Sequence, residues 1–151
     1  MSLDNLTEQQ ALVPIMSKLI KELNAIMARE FQSHNVQLTK EQAIILKKLA
    51  EQDGCPQTDL ALVTSRDKTS LTRLLSTMEA KKLIRRKTSK VDKRINLVFI
   101  TKKGQEEIEK ATPIVLNILN QAVYRIDEKR IESTKALLND IYQNLNIHYE
   151  E

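Results

Sequence analysis

Between Gln57 and Ile100 the apolar pattern changes period once, and that change limits what the segment can fold into. Pro56 suits the opening turn of a helix from Gln57 to about Val63, with Leu60 and Val63 turned inward. Thr64-Ser65-Arg66 then links to a second amphipathic helix, Asp67 to Met78. Leu71, Leu74, Leu75 and Met78 recur at helical spacing and form its buried stripe, and Asp67 is placed to cap its N-terminus. Lys68, Thr69, Thr72, Arg73 and Ser76 fall on the other side. After Lys82 the helical period gives way to two β-favouring runs, Leu83–Thr88 and Ile95–Ile100, around a polar connector from Ser89 to Arg94. Ile95, Leu97 and Phe99 alternate, which assigns them the core face of the second run.

Two short helices joined by a tight turn form a helix-turn-helix, and the hairpin behind them, tipped by Lys90, Lys93 and Arg94, forms a wing. The outer face of the second helix is short, polar and cationic, so it can dock closely in a DNA major groove. A wing Arg or Lys suits the negative potential of the adjacent minor groove. Charge argues the same way. Thr64 to Lys103 holds thirteen Lys or Arg against three acids, a net +10, which leaves −6 for the rest of a chain whose total is +4. A membrane surface would ask for one basic amphipathic helix instead of this mixture of helix, strand and turn. The alternative to DNA is a protein-interaction module using the basic face on an acidic partner. That face carries none of the aromatic anchors usual at protein hot spots.

Two Gly and three Pro in 151 residues are too few for a sheet-rich fold, so the remainder should be helical. A capping box at Thr7–Gln10 opens a first helix whose stripe runs from Leu12 to Phe31, with Pro14 expected to kink or restart it and His34 and Asn35 to end it. A second box, Thr39 to Gln42, opens a helix carrying Ile45, Leu46 and Leu49 towards a stop at Gly54. Thr101 can cap a helix bearing Ile108, Ala111, Val115, Ile118, Leu119, Ala122 and Ile126, with a bend at Pro113. Asp127 can cap a last helix bearing Ile131, Leu138, Ile141 and Leu145. The first and last helices carry more apolar surface than one small core can cover, and burial between two copies would cover it. The expected fold is mainly α with a small β-hairpin wing. It comprises an N-terminal dimerisation helix (1–37), a winged helix-turn-helix lobe (38–100) and C-terminal dimerisation helices (101–151), intertwined as one domain.

Other functions find little support. One Cys forms no intramolecular disulfide, no run is apolar enough to span a bilayer, and no signal-peptide pattern opens the chain, so a cytoplasmic location is expected. His34 and His148 lack ligand spacing, so no metal or other cofactor is expected. No phosphate loop, nucleophile elbow or paired-carboxylate signature suggests an enzyme.

Leu38-Thr-Lys-Glu-Gln42, Asp59-Leu-Ala61, Asp67–Leu75, Met78–Ile84, Asp92-Lys-Arg94 and Thr101-Lys-Lys-Gly104 together resemble the MarR family of winged-helix transcriptional regulators. The Asp-x-Arg wing followed by Thr-x-x-Gly is the most discriminating part. The resemblance implies a homodimer with intertwined terminal helices on a pseudopalindromic double-stranded operator, acting as a repressor and released by a small aromatic or phenolic effector whose pocket the sequence does not locate. It implies a recognition helix contributing Ser65, Arg66, Lys68, Thr69, Thr72, Arg73 and Ser76, and a wing contributing Lys90, Asp92, Lys93 and Arg94. Arg94 would sit at the minor groove or brace the wing through Asp92. Arg85, Arg86 and Lys87 would support strand and backbone contacts. Lys82 departs from the pattern, since the family commonly has Gly there, and a non-Gly residue would need a positive φ. Peroxide-sensing members place their reactive thiol in the first helix. This chain has none there, and Cys55 lies near acids that disfavour its thiolate.

Overall fold

The computed structural model describes Thr7, residues 11–64 and residues 66–147. Six helices and a three-stranded antiparallel sheet follow in chain order: α1 (Leu12–Ser33), α2 (Lys40–Glu51), β1 (Cys55–Pro56), α3 (Gln57–Thr64), α4 (Lys68–Ala80), β2 (Ile84–Thr88), β3 (Asn96–Ile100), α5 (Lys102–Ala122) and α6 (Glu128–Ile147). The chain divides into two compact units after Ile118. The first holds α1 to α4, the sheet and most of α5; the second holds the end of α5 and all of α6.

The capping box expected at 7–10 lies almost wholly outside the described residues. Pro14, expected to kink or restart the first helix, lies at the start of α1. It stands in the first turn of a helix that begins at Leu12, where its missing N–H costs no helical bond. The helix ends as expected. Asn35 adopts a φ of 55°, Asn35 N–H donates to Gln32 O at 3.2 Å, and Val36 N–H donates to Phe31 O at 2.8 Å. This double closure is a Schellman motif. Thr39 begins α2 with a complete capping box: its hydroxyl accepts from Gln42 N–H, and the Gln42 side chain accepts from Thr39 N–H. That helix stops at Glu51, three residues before Gly54. Gly54 instead sits in the following loop at a φ of 74°, against the Phe99 ring, where an added Cβ would come within 2.9 Å of Cε1.

Cys55 and Pro56 form a strand that the apolar pattern does not announce. They pair with Val98 and Leu97 at the edge of a sheet ordered β1-β3-β2. Pro56 therefore closes an edge strand instead of opening a helix, a place where its lack of a donor is tolerated. The sheet also reverses the expected faces of β3. Val98 is fully buried, whereas Ile95, expected inside, is 39% exposed. Directly opposed residues share a face, so Ile84, Arg86, Val98 and Ile100 lie on one side and Arg85, Lys87, Leu97 and Phe99 on the other. The second side is covered in part by long cationic side chains, with the Arg85 guanidinium carbon 5.5 Å and Lys87 Nζ 6.0 Å from the Phe99 ring centre.

The core gathers Ile45, Leu46 and Leu49 of α2, Leu60 of α3, Leu71, Leu75 and Met78 of α4, and Ile84 and Val98 of the sheet, all essentially inaccessible. Met27 and Phe31 bring the C-terminal half of α1 into it, and Ile108, Ala111 and Ile118 bring α5. In contrast, Val13, Ile15, Leu19 and Ile20 leave the N-terminal half of α1 apolar and exposed. Helix α5 continues through Pro113 and ends at Ala122, so Ile126 falls in the turn beyond it. Asp127 caps α6 by accepting from Lys129 and Arg130 N–H at 3.0 and 3.4 Å, and Leu138, Tyr142 and Leu145 of α6 are exposed. Among the described residues, no helix is long and apolar enough to cross a membrane.

Candidate nucleic-acid interface

Helix α4 is positioned from both ends. At its start Asp67 Oδ1 accepts from Thr69 and Ser70 N–H, each at 2.9 Å, and the Ser70 bond leads in holding the carboxyl below its ordinary pKa. At its end Lys82 takes a φ of 59° and completes a second Schellman motif: Lys82 N–H donates to Glu79 O at 2.9 Å and Leu83 N–H to Met78 O at 3.0 Å. The positive φ expected at this lysine is therefore adopted. Thr101 then ties the turn to α5. Its hydroxyl lies 2.7 Å from Lys82 O and accepts from Gly104 N–H at 3.1 Å. Gly104 itself packs so closely on the Leu83 carbonyl that a Cβ there would overlap the oxygen. The Thr-x-x-Gly spacing is thus a close crossing of α5 over the chain entering β2.

The inner stripe of α4 is buried as read, with Leu71, Leu75 and Met78 inaccessible and Leu74 packed beside them. On α3 Leu60 is fully buried and Ala61 packs beside it, whereas Val63, expected inward, is 42% exposed. The outward residues of α4 divide by what already holds them. Arg66 Nη1 donates to Ser70 Oγ at 2.6 Å. The Thr72 hydroxyl donates to Lys68 O at 2.7 Å and accepts from Gln57 Nε2 at 3.2 Å. The Ser76 hydroxyl donates to Thr72 O at 2.9 Å and accepts from Arg86 Nη2 at 3.2 Å. By contrast, among the described residues no hydrogen bond or ion pair engages the side chains of Lys68, Thr69 or Arg73, and all three are exposed. Ser65 lies outside the described residues.

The hairpin tip is organised by its own short side chains. Ser89 Oγ accepts from Val91 and Asp92 N–H at 3.2 and 3.3 Å, and Asp92 Oδ1 accepts from Arg94 N–H at 2.9 Å. Asp92 therefore braces Arg94 through the backbone, and among the described residues no ion pair joins their side chains. Lys90, Lys93 and Arg94 are exposed. A cleft of about 470 Å³ between α3, the start of α4 and the base of the wing is lined by Gln57, Thr58, Lys68, Arg94 and Asn96, among others. It brings a cation of α4 and a cation of the wing to one depression.

Three residues of this surface were given no part in it from the sequence. Gln57 carries no motif signal, and its contact with Thr72 exists only once α3 packs on α4. Glu79 is legible in retrospect as one of three acids in a basic segment, and it receives Arg86. Phe99, read as core, is the platform under Arg85 and Lys87. Burial, followed by the Asp59 charge, pushes the inaccessible Cys55 thiol up, away from the thiolate. Among the described residues no cluster of His, Cys, Asp or Glu could hold a metal ion.

A helix-turn-helix followed by a wing, with the wing's base and the second helix sharing a cationic cleft, defines the winged helix-turn-helix class. The MarR family model matches residues 38–95, from the start of the α2 cap to the tip of the wing, ahead of β3. Transcriptional regulator HosA of Escherichia coli O127:H6 is 31% identical over 91 residues, spanning 56% of this chain and 67% of that protein. Among solved structures, AbsC, a MarR family transcriptional regulator from Streptomyces coelicolor, superposes with a TM-score of 0.83 at 22% identity, covering 93% of this chain and 97% of that one. A complex of Staphylococcus aureus MepR with DNA superposes at 0.78 with 26% identity, covering 93% and 99%. The chain belongs to the MarR family of transcriptional regulators.

Proposed function

We propose that this chain is a cytoplasmic, sequence-specific DNA-binding repressor. It would act as a homodimer on a pseudopalindromic operator, with α4 in the major groove and the wing at the adjacent minor groove. The observation that carries the reading is the division of side chains on α4. Lys68, Thr69 and Arg73 stand exposed with no partner among the described residues, and Lys68 shares a cleft with Arg94 of the wing. Such cations on one face suit phosphate and base-edge contacts. The DNA complex of MepR, similar over nearly the whole chain, adds support. Homodimerisation is supported by the exposed Val13, Ile15, Leu19 and Ile20 of α1 and, separately, by the apolar residues of α6. Release by an aromatic or phenolic effector is supported by a pocket of about 580 Å³ lined by Met27, Phe31, Val36 and Leu38, with Lys40 and Lys81 at hand. Asn24 also lines it, and among the described residues its buried Oδ1 has no hydrogen-bond partner and could accept from a phenol.

The test is selection from a random DNA pool followed by binding to the enriched sequence across a salt series. Arg73→Ala and Arg94→Ala should each weaken binding and lower the salt slope by about one, the share of one phosphate contact. Sedimentation should show both variants dimeric. A double variant with unaltered affinity would refute this contact face. Failure to enrich any DNA, together with capture of an acidic protein by the same face, would turn the reading to a protein-interaction module.

A further inference from the structure

We propose that Thr72 reads DNA through its methyl group, as a thymine-specific contact, and that Gln57 is the positioning residue that commits its hydroxyl elsewhere. The inference rests on the DNA-binding reading above and specifies the base chemistry of one position on α4.

A threonine hydroxyl has one proton, and that of Thr72 goes to the Lys68 carbonyl one turn back, at 2.7 Å. The oxygen also accepts from the Gln57 amide, at 3.2 Å. This network settles the amide's orientation, because the Gln57 carbonyl oxygen would find no proton at Thr72. With its only proton spent, Thr72 cannot donate to guanine O6 or N7, to thymine O4 or to a phosphate. With the proton of Oγ1 on the Lys68 carbonyl and the Gln57 amide on its acceptor side, the feature that the exposed side chain presents outward is its methyl group. In the major groove the apolar complement of a methyl is the C5-methyl of thymine. Ser76, one turn on, is committed in the same way between Thr72 O and Arg86. Among the described residues Lys68, Thr69 and Arg73 keep their side-chain donors unengaged, so on this helix polar and apolar readout belong to different residues.

Gln57 lies fifteen positions upstream on a different helix, half-buried in the lining of the cleft, where its amide meets Thr72. Without it, Oγ1 would lose the donor that occupies its acceptor side and would be open to accept from adenine N6 or cytosine N4.

The experiment replaces each thymine of the selected operator in turn with deoxyuridine, which removes only the C5-methyl. Wild-type protein should lose about fourfold in affinity at one thymine per half-site, the effect of burying one methyl-sized group. The loss should disappear in Thr72→Ser, which keeps the hydroxyl and drops the methyl, and should persist in Thr72→Val, which does the reverse. Gln57→Ala should broaden base preference at that same position while thermal melting shows the fold intact. The inference is overturned if no thymine position couples to Thr72, or if Thr72→Val abolishes the deoxyuridine penalty. An unaltered base preference in Gln57→Ala overturns the positioning role. A defined operator without that coupling defeats this inference alone; absence of any selected DNA defeats the DNA-binding reading itself.

Discussion

Arg86 holds Glu79 through three donors. Its Nε and Nη2 lie 3.0 and 2.7 Å from Glu79 Oε2, and its own backbone N–H donates to Oε1 at 3.0 Å. The pair joins the last turn of α4 to β2, so the angle between recognition helix and wing depends on one carboxylate. The Arg86 side-chain bond leads in holding that carboxyl below its ordinary pKa. Glu79→Ala would leave a guanidinium and a backbone N–H without their acceptor. Both side chains are partly solvated, which limits the loss to about 1 kcal/mol. Urea denaturation should register it, and hydrogen exchange at Ile84–Thr88 should quicken. An unchanged midpoint with unchanged exchange would mean the hairpin is held by the sheet alone.

Gly104→Ala tests the crossing of α5 over β2. The new Cβ would overlap the Leu83 carbonyl oxygen and approach Ile100 Cγ1 at 3.0 Å. Backbone cannot yield as a flexible side chain does, so α5 must shift and the core with it. A cost of roughly 1–3 kcal/mol is expected by calorimetry. A melting temperature equal to wild type would show that α5 slides freely.

Lys82→Gly should raise stability, because Lys82 is exposed and its φ of 59° is strained for an L-residue. Relief of the left-handed conformation returns roughly 1–2 kcal/mol. The greater freedom of glycine in the unfolded chain takes back roughly 0.5–1. A net gain of about 0.5–1 kcal/mol should appear in denaturant titration. A loss would point to an unrecognised contact of the lysine side chain.

Glu107 predicts a pH dependence. Burial pushes its carboxyl up, but the Lys110 ammonium at 2.9 Å and the Gln37 backbone N–H at 3.1 Å outweigh burial and hold the pKa below the ordinary carboxylate value. A depressed folded pKa gives stability that is present above the unfolded pKa and is lost as pH falls through the folded one. The stability difference between wild type and Glu107→Gln should therefore be largest at neutral pH and shrink under acid conditions, as followed by melting temperature. A difference that stays constant with pH would remove ionisation from the account.

Much of this organisation was legible because it is local. A capping hydroxyl at Thr39, a carboxylate at Asp67 and an apolar stripe such as Leu71, Leu75 and Met78 act within one or two turns, so neighbours in sequence are neighbours in space. Lys82 was legible only through the family resemblance, in which a glycine at this position marks a left-handed turn out of the helix. The cationic candidates Lys68, Arg73 and Arg94 were legible as charges, although which of them stand free was not.

What the residues alone determined is the order of helices, their caps, the hairpin and the concentration of positive charge between Thr64 and Lys103. What only the tertiary structure decided is which face of a nearly all-apolar strand is core and which polar groups are already engaged. Alternation from Ile95 assigned Leu97 and Phe99 to the core, although Val98 and Ile100 are equally apolar. Val98 became the core residue because Cys55 and Pro56 pair across β3, while Arg85 and Lys87 cover Phe99 on the other face. Thr72 and Ser76 read as free hydroxyls until Gln57 and Arg86 reached them from other elements. Hydrogen-bond capacity is consumed by neighbours in space, and those neighbours exist only after the chain has folded.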